Sequence, residues 1–206
     1  MRRYVWAWSI GVAIGLSGGQ SSASELGGRW RHTAGNHLIL TYRCWYQIPS
    51  PRPDSSNGIW VNYCANTYAE VQAAARAWND SGANVSFMEI FERNRRGIST
   101  PKADVQVFES SWNPAEAGVT RHTPCEGRGC LYTRSSLTLN MAALNTMTSF
   151  DRMKTIVHEF GHAIGLGHTE QDGTGSLSVM RQGQQPVNTP QPWDTSWVAF
   201  LYPPTR

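Results

Sequence analysis

The chain has little charge and no strong bias toward one sign. Charged residues make up only 16% of its 206 residues, and the formal net charge is +3. The Lys and Arg residues are spread along the chain, whereas nucleic-acid-binding surfaces need basic patches. The composition therefore argues against a nucleic-acid partner. Hydrophobic residues make up 40% and include nine Trp, which favours one compact domain with a well-covered core.

The N-terminal apolar run is too short to cross a membrane. Residues 5–16 form this run, whereas a spanning helix needs roughly 20 apolar residues. Two arginines precede the run, and a small-residue cleavage signature follows it and ends at Ala23. This pattern predicts a signal peptide over residues 1–23. We expect the mature domain, residues 24–206, to be secreted and to have no membrane partner after cleavage.

Cysteines are few, and none of them forms the Cys-x-x-Cys pair of a zinc ribbon. There are four, an even number in a chain predicted to be exported, and this favours disulfides. Four cysteines allow three pairings. We favour the local one, Cys44 with Cys64 and Cys125 with Cys130, over a zinc site built from all four.

Repeats and low-complexity tracts are absent, so hydrophobic periodicity marks the elements one at a time. Short apolar stretches predict five strands, over residues 30–46, 85–91, 103–108, 118–122 and 136–141. Helical spacing predicts a helix over 68–79, with Thr67 as its cap and Glu70 completing a capping box. A short closing helix is predicted over 194–202. Residues 49–58 are rich in Pro and Ser and predict a surface loop.

Residues 149–164 carry the strongest chemical signal. Apolar residues recur there at steps of three and four, and Gly165 follows as a stop. His158 and His162 are four residues apart, which on a helix places both imidazoles on one face within reach of a single ion. Glu159 then lies beside the same ion.

A catalytic zinc ion takes three protein ligands and leaves one position for water, so a third ligand is needed nearby. Gly165 can adopt a positive φ, end the helix and turn the chain back, which makes His168 the candidate. A His-Glu-x-x-His string alone can arise by chance on a solvated helix face. Here the helix is apolar enough to be buried, and buried histidines need partners.

Residues 158–168 match without a gap the metzincin signature, His-Glu-x-x-His-x-x-Gly-x-x-His, and residues 178–180 resemble its Met-turn. The chain is most similar to the matrixins within that family, and the looser likeness covers most of the mature chain. The resemblance implies an α+β catalytic domain. Such a domain has a mixed, twisted sheet of about five strands, an active-site helix, a backing helix and a short C-terminal helix. Met180 would form a packed floor beneath the histidines rather than a ligand.

The resemblance also implies an activity, that of a secreted monomeric zinc endopeptidase with one catalytic Zn2+ and a protein or peptide substrate. Glu159 would be the general base. Substrates of this family lie along an edge strand, which implies Gly118, Val119 and Thr120 as substrate-binding residues. Residues 181–186 would wall the pocket for the residue after the cut.

Other readings of the chain remain open at this point. One is a secreted zinc-binding module without proteolysis, against which Glu159 argues. Another is a zinc hydrolase of a non-protein amide, such as one in a cell-wall peptide, because its metal chemistry would be the same. Calcium could bind at Asp172 and Gly173, although an Asp-Gly pair is usually a turn. We expect His122 to be an ordinary polar residue.

Overall fold

The computed structural model describes residues 28–31, 37–48, 59–90, 103–113, 116–123, 130–169 and 176–204. Within these ranges lie strands β1 (Gly28–Trp30), β2 (Leu38–Arg43), β3 (Trp45–Ile48), β4 (Ile59–Asn62), β5 (Val85–Glu89), β6 (Val105–Ser110), β7 (Gly118–His122), β8 (Cys130–Tyr132) and β9 (Ser135–Asn140). The helices are α1 (Tyr68–Asn79), α2 (Met141–Leu144), α3 (Ser149–Ile164) and α4 (Pro192–Leu201). The predicted signal peptide, the loop at 49–58, Cys125 and the Asp172-Gly173 pair lie outside the described residues.

Five strands form the central sheet, in the order β5-β2-β6-β9-β7. The first four run parallel, and β7 is antiparallel to β9 at one edge. Successive side chains of a strand point to opposite faces, and β2 accordingly buries Leu38, Leu40 and Tyr42 while Ile39 is exposed. Two small sheets, β1-β8 and β3-β4, accompany the central one. The predicted α+β fold with a mixed five-stranded sheet is therefore confirmed.

Several predicted boundaries differ from the observed ones, because hydrophobic alternation does not show where pairing partners change. The strand predicted over 30–46 is three strands, and Cys44 lies in a bend between β2 and β3. The strand predicted over 136–141 stops one residue early, since the side chain of Asn140 accepts the N–H of Ala142 and starts α2. The closing helix begins two residues earlier than predicted, with Pro192 in its first turn. The sequence pattern does not predict β4, β8 or α2.

The capping box predicted at the start of α1 is wrong. The side chain of Thr67 makes no capping bond to the helix. Its hydroxyl and its N–H both donate to Oε1 of Glu109 on β6, at 2.8 Å. Asn66 donates its own N–H and amide to the same carboxylate, and Glu70 pairs instead with Arg152 on α3 at 2.9 Å. Glu109 of a neighbouring strand thus accepts the N–H of Thr67 that Glu70 would accept in a capping box.

Helices α1 and α3 pack against each other and against the sheet. The indole N–H of Trp78 on α1 donates to the carbonyl of Val157 on α3, at 2.9 Å. Phe160 of α3 makes edge-to-face contacts with Tyr42 and Phe87, at ring-centroid distances of 5.7 and 4.8 Å. Such pairs add to the stabilisation from burial alone. These contacts hold α3 against β2 and β5.

One of the two predicted disulfides lies within the described residues. Cys44 and Cys64 are bonded, with Cα atoms 5.4 Å apart and a separation of 20 positions in sequence. In the chain-entropy view a loop of this length adds about 3 kcal/mol of stability. The predicted Cys125–Cys130 pair cannot be compared, because Cys125 lies outside the described residues. No helix in the described ranges has the length and apolar character needed to cross a bilayer.

Candidate metal centre

Local signals fix both ends of the helix that carries the predicted site. At the start of α3 the hydroxyl of Thr148 accepts the N–H of Asp151 at 3.1 Å and donates to its carboxylate at 2.8 Å. At the end Gly165 adopts a φ of 114°. The N–H groups of Gly165 and Leu166 return to the carbonyls of His162 and Gly161, at 2.8 and 3.1 Å. This is the Schellman arrangement that glycine permits, and it turns the chain back beside the helix.

The turn brings the three predicted histidines together. Nε2 of His162 lies 3.0 Å from Nε2 of His158 and 3.0 Å from Nε2 of His168. All three ligand atoms lie within 4.8 Å of one another, a spacing at which they can hold one metal ion.

Hydrogen bonds on the far side of two of these rings decide which nitrogen is protonated. Nδ1 of His158 lies 2.9 Å from the carbonyl oxygen of Val179, and Nδ1 of His162 lies 2.7 Å from that of Leu166. A carbonyl only accepts, so each Nδ1 carries the proton and each Nε2 presents a lone pair. Two lone pairs 3.0 Å apart repel each other, and a cation between them removes that repulsion. The donor set therefore fits a metal ion.

Burial keeps both of these imidazoles neutral. It lowers the pKa of His158 well below its ordinary value and lowers the pKa of His162 to about 3, and the charges of the neighbouring histidines act in the same direction. A neutral imidazole is the form that binds metals. The pair is thus ready to act as ligands at neutral pH.

The carboxyl of Glu159 lies in the interior and is only 2% exposed. Burial raises the pKa of Glu159 to about 7, and a hydrogen bond from Thr120 partly opposes this shift. The hydroxyl of Thr120 donates to Oε2 of Glu159 at 2.7 Å and also lies 3.1 Å from its main-chain oxygen. A carboxyl with a pKa near 7 can both accept and release a proton at neutral pH.

The last carbonyls of α3 are capped by side chains from both ends of the described chain. The indole N–H of Trp30 on β1 donates to the oxygen of Ala163 at 2.7 Å. The hydroxyl of Tyr202, directly after α4, donates to the oxygen of Ile164 at 2.6 Å and accepts the N–H of Trp30 at 3.2 Å. Helix ends leave such carbonyls without intrahelical donors. Distant residues thus hold the end of the helix from which the chain turns to His168.

His122 lies behind the cluster and contributes no ligand to it. Its Nε2 donates to the carbonyl oxygen of His162 at 3.1 Å, and its Nδ1 accepts from the hydroxyl of Ser135 at 2.6 Å. The ring stacks on Tyr132 at a centroid distance of 3.6 Å. Burial lowers the pKa of His122 to about 4. The sequence predicts an ordinary polar residue here, and the structure adds a specific contact with the main chain of α3.

Met180 packs beneath α3. It is 1% exposed, and its side chain fills the space that a Cβ on Gly161 would need. The predicted floor methionine thus contacts the helix at the residue directly before His162.

Asp194 is a buried residue behind the cluster that sequence reasoning does not single out. Its carboxylate accepts the hydroxyl of Ser178 at 2.5 Å, the N–H of Val179 at 3.0 Å and the N–H of Gln191 at 2.7 Å. Burial raises its pKa. Because the carbonyl of Val179 accepts the proton of His158, Asp194 supports the turn that orients this histidine. In the sequence, the one signal for Asp194 is its position as an acidic residue in the first turn of α4.

The segment predicted to wall the substrate pocket lies beside the cluster. The ammonium of Lys154, buried on α3, donates to the carbonyls of Arg181 and Gly183 at 2.6 and 3.1 Å. Nε2 of Gln182 lies 3.5 Å from Nε2 of His168. Gln182 belongs to the predicted segment 181–186, whereas the sequence does not single out Lys154, because the partners of Lys154 lie in another segment of the chain.

The predicted substrate strand, β7, lies at the edge of the central sheet. The N–H of Asn140 on β9 donates to the carbonyl of Ala117 at 3.0 Å. In an antiparallel pair such bonds alternate along the strand. The main-chain groups of Gly118 and Thr120 therefore point away from β9, toward the outer edge, where an extended peptide can pair with them.

No protein-family model matches the chain, and no curated protein matches it either. Among solved structures, the chain is similar to the GM1-bound form of the ECX AB5 holotoxin, with a TM-score of 0.49 and 15% identity over 87% of this chain and 88% of that one. It is also similar to two structures of myroilysin. Their TM-scores are 0.47 and 0.45, with 12% and 13% identity over 86% and 85% of this chain and 97% and 86% of theirs. At these values the likenesses establish no family for this chain.

Proposed function

We propose that the protein is a secreted zinc endopeptidase of the metzincin type. His158, His162 and His168 hold one catalytic Zn2+, and Glu159 is the general base. The observation that carries this proposal is the convergence of three Nε2 atoms, two of them with their Nδ1 protons engaged elsewhere, beside a buried carboxyl. Secretion is supported by the basic and apolar N-terminal sequence and by the Cys44–Cys64 bridge.

The ligand set fits zinc and disfavours magnesium and calcium. Imidazole nitrogens suit zinc, copper, iron and nickel, whereas magnesium and calcium take oxygen ligands. Catalytic zinc sites use three protein ligands and keep one position open. When bound, the ion acts as a Lewis acid on the scissile carbonyl and lowers the pKa of water to about 7.

Glu159 performs both proton transfers in this proposal. It removes a proton from the attacking water as the water oxygen bonds to the carbonyl carbon of the scissile peptide. When the C–N bond breaks, Glu159 delivers that proton to the leaving nitrogen. Burial, which raises the pKa of Glu159, favours the protonated carboxyl that must exist between the two steps. The hydrolysis therefore needs no second side chain as acid.

The substrate is an extended peptide that adds to the outer edge of β7. Gly118 and Thr120 offer their main-chain groups there, and a peptide recognised through its main chain can continue beyond the site in both directions. This arrangement favours cleavage at internal bonds. Residues 181–186 would wall the pocket for the residue after the cut, since Lys154 holds Arg181 and Gly183 against α3.

Metal content and proteolysis measured together test the proposal. The exported protein should contain one zinc ion per chain, cut unmodified peptides from a random library at internal bonds, lose this activity to a chelator and regain it with zinc. Glu159→Gln should keep the zinc and lose activity by several orders of magnitude, because the ligands remain and the base is gone. His168→Ala should lose or weaken zinc binding.

Three results would overturn parts of this proposal. A Glu159→Gln enzyme of normal speed would remove Glu159 from its role. Unchanged zinc content in His168→Ala would exclude His168 as the third ligand. Hydrolysis of cell-wall peptide amides without cleavage of any unmodified peptide would leave the metal centre in place and change the substrate class.

A further inference from the structure

We infer that the side chain of Thr120 orients the Glu159 carboxylate, with Gly118 leaving the space that it occupies, so that the strand offered to the substrate also positions the base. This inference rests on the proposed function of Glu159. It changes the part expected of Thr120, which the sequence places among the substrate-binding residues. The main chain of Thr120 points toward the outer edge of β7, where the substrate would pair, and its hydroxyl donates to the carboxylate of Glu159.

Two contacts fix the Thr120 hydroxyl to one residue of α3. It lies 2.7 Å from Oε2 of Glu159 and 3.1 Å from the main-chain oxygen of the same residue. A hydroxyl has one proton to donate, and the carboxylate oxygen, which is nearer and can carry charge, is the stronger acceptor. The main-chain oxygen at 3.1 Å can share this proton only as the weaker half of a bifurcated bond. The hydroxyl therefore lies beside the backbone of Glu159 and donates mainly to its carboxylate.

Gly118 leaves room for the Glu159 carboxylate on the same face of β7 as Thr120, and we call these two residues the Glu159 cradle. A Cβ at Gly118 would lie 2.8 Å from Cγ, 3.0 Å from Cδ and 3.0 Å from Oε1 of Glu159, closer than ordinary van der Waals contact. The φ of Gly118 is not positive, so the backbone conformation does not require glycine there. Residues two apart on a strand share a face. Gly118 and Thr120 thus bracket the Glu159 side chain from one face of β7.

The position of the base matters because proton transfer requires hydrogen-bond distance and alignment. A displacement of about 1 Å can lower a rate by about 100-fold. Thr120→Val removes the hydroxyl and keeps the side-chain shape. We expect kcat to fall about 10- to 100-fold with KM within about twofold, since the main chain that faces the substrate is unchanged.

The experiment compares Thr120→Val with Thr120→Ser and with a matched control. Thr120→Ser keeps the hydroxyl and should recover most of the lost kcat. Thr138→Val is the control, because it makes the same chemical change at a residue of β9 that pairs with Val119. Thr138 is not among the residues that contact Glu159 here. Zinc affinity should be the same in all three variants, since none of them alters a ligand.

A double-mutant cycle tests whether Thr120 acts through Glu159. In a Glu159→Gln background, Thr120→Val should lower the residual rate by less than about twofold. An equal loss in both backgrounds would overturn the inference. So would a full-rate Thr120→Val, a Thr120→Ser as slow as Thr120→Val, or a loss confined to KM, which would mean a substrate contact.

A measurement on the metal-free protein separates this inference from the proposed function. The carboxyl ¹³C resonance of Glu159, assigned by its disappearance in Glu159→Gln, should shift in Thr120→Val and remain near the wild-type position in Thr120→Ser and Thr138→Val. An unmoved resonance would refute the hydrogen bond whatever the enzyme does. If the wild type showed no zinc-dependent hydrolysis while the resonance shifted, the proposed function would fail and the cradle would stand as structure alone.

Discussion

Replacing Gly161 with alanine should destabilise the protein, although alanine is the better helix former. Gly161 lies inside α3, where alanine is favoured over glycine by about 0.8–1 kcal/mol. A Cβ at this position would overlap Sδ of Met180 and would lie 3.1 Å from Cε of Met180 and 3.0 Å from Cζ2 of Trp78. Ordinary contacts begin at 3.4 Å, so the methionine must move.

The cost of that movement sets the size of the effect. A methionine is flexible, but Met180 is 1% exposed and Trp78 is fully buried, so neither can swing into solvent. Overpacking a filled core costs about 1–3 kcal/mol. After the gain in helix propensity, the net loss should be about 1 kcal/mol, or about 2–4 °C in Tm for a chain of this size. Zinc should also bind more weakly, because the displaced Met180 follows Val179, whose carbonyl orients His158.

Urea unfolding of the metal-free protein measures this loss, and Met180→Ala supplies the control. Met180→Ala alone should cost about 2–5 kcal/mol through the cavity that it leaves. In that background Gly161→Ala should cost less than in the wild type, because the overlap with Met180 is gone and only the 3.0 Å contact with Cζ2 of Trp78 remains. If Gly161→Ala changed the stability equally in both backgrounds, the close packing of Met180 on Gly161 would be refuted.

Three further predictions concern residues behind the cluster. Asp194→Ala leaves buried donors, including the N–H of Val179, without an acceptor. The free energy of unfolding should therefore fall by about 3 kcal/mol, and zinc affinity should fall about tenfold. An unchanged Kd for zinc in calorimetry would show that Asp194 does not support the metal site. Burial lowers the pKa of His122 from 6.5 in the unfolded chain to about 4 in the folded protein. The contribution of His122 to the free energy of unfolding is therefore fully present above pH 6.5 and is lost as the pH falls to about 4. The loss is at most about 1.4 kcal/mol per pH unit. Urea titrations of His122→Gln should show a shallower loss, and parallel curves would contradict the shift. Trp30→Phe removes the donor to Ala163 and should lower the free energy of unfolding by about 1 kcal/mol, and a Tm equal to the wild type would show that this bond contributes nothing.

The helix and the three histidines could be predicted from the sequence because their geometry is local. Helical periodicity places His158 and His162 on one face, and the positive φ of Gly165 turns the chain back to His168. All of this is set within eleven residues. The mixed sheet could be predicted in less detail, since the alternation of apolar and polar residues identifies strands without showing which strands pair.

The supports of the site could not be predicted because they depend on register between distant segments. Alternation shows that Gly118 and Thr120 share a face of their strand, but only the pairing with β9 shows that this face meets Glu159. Asp194 likewise reads as an acidic first-turn residue until the packing of α4 places it under Val179. The capping box at Thr67 fails for the same reason, since Glu109 from another strand competes successfully for its donors.

The double cap on the last turn of α3 has a consequence for the order of assembly. Trp30 reaches Ala163 across 133 residues of sequence, and Tyr202 reaches Ile164 across 38. Contacts of such long range form late, because loop closure must precede them. A chain that has not yet emerged from a ribosome or an export channel as far as Tyr202 lacks the donor to Ile164, one of the two side-chain caps on this helix end. The peptidase that we propose would therefore reach full activity only after the chain has emerged as far as Tyr202.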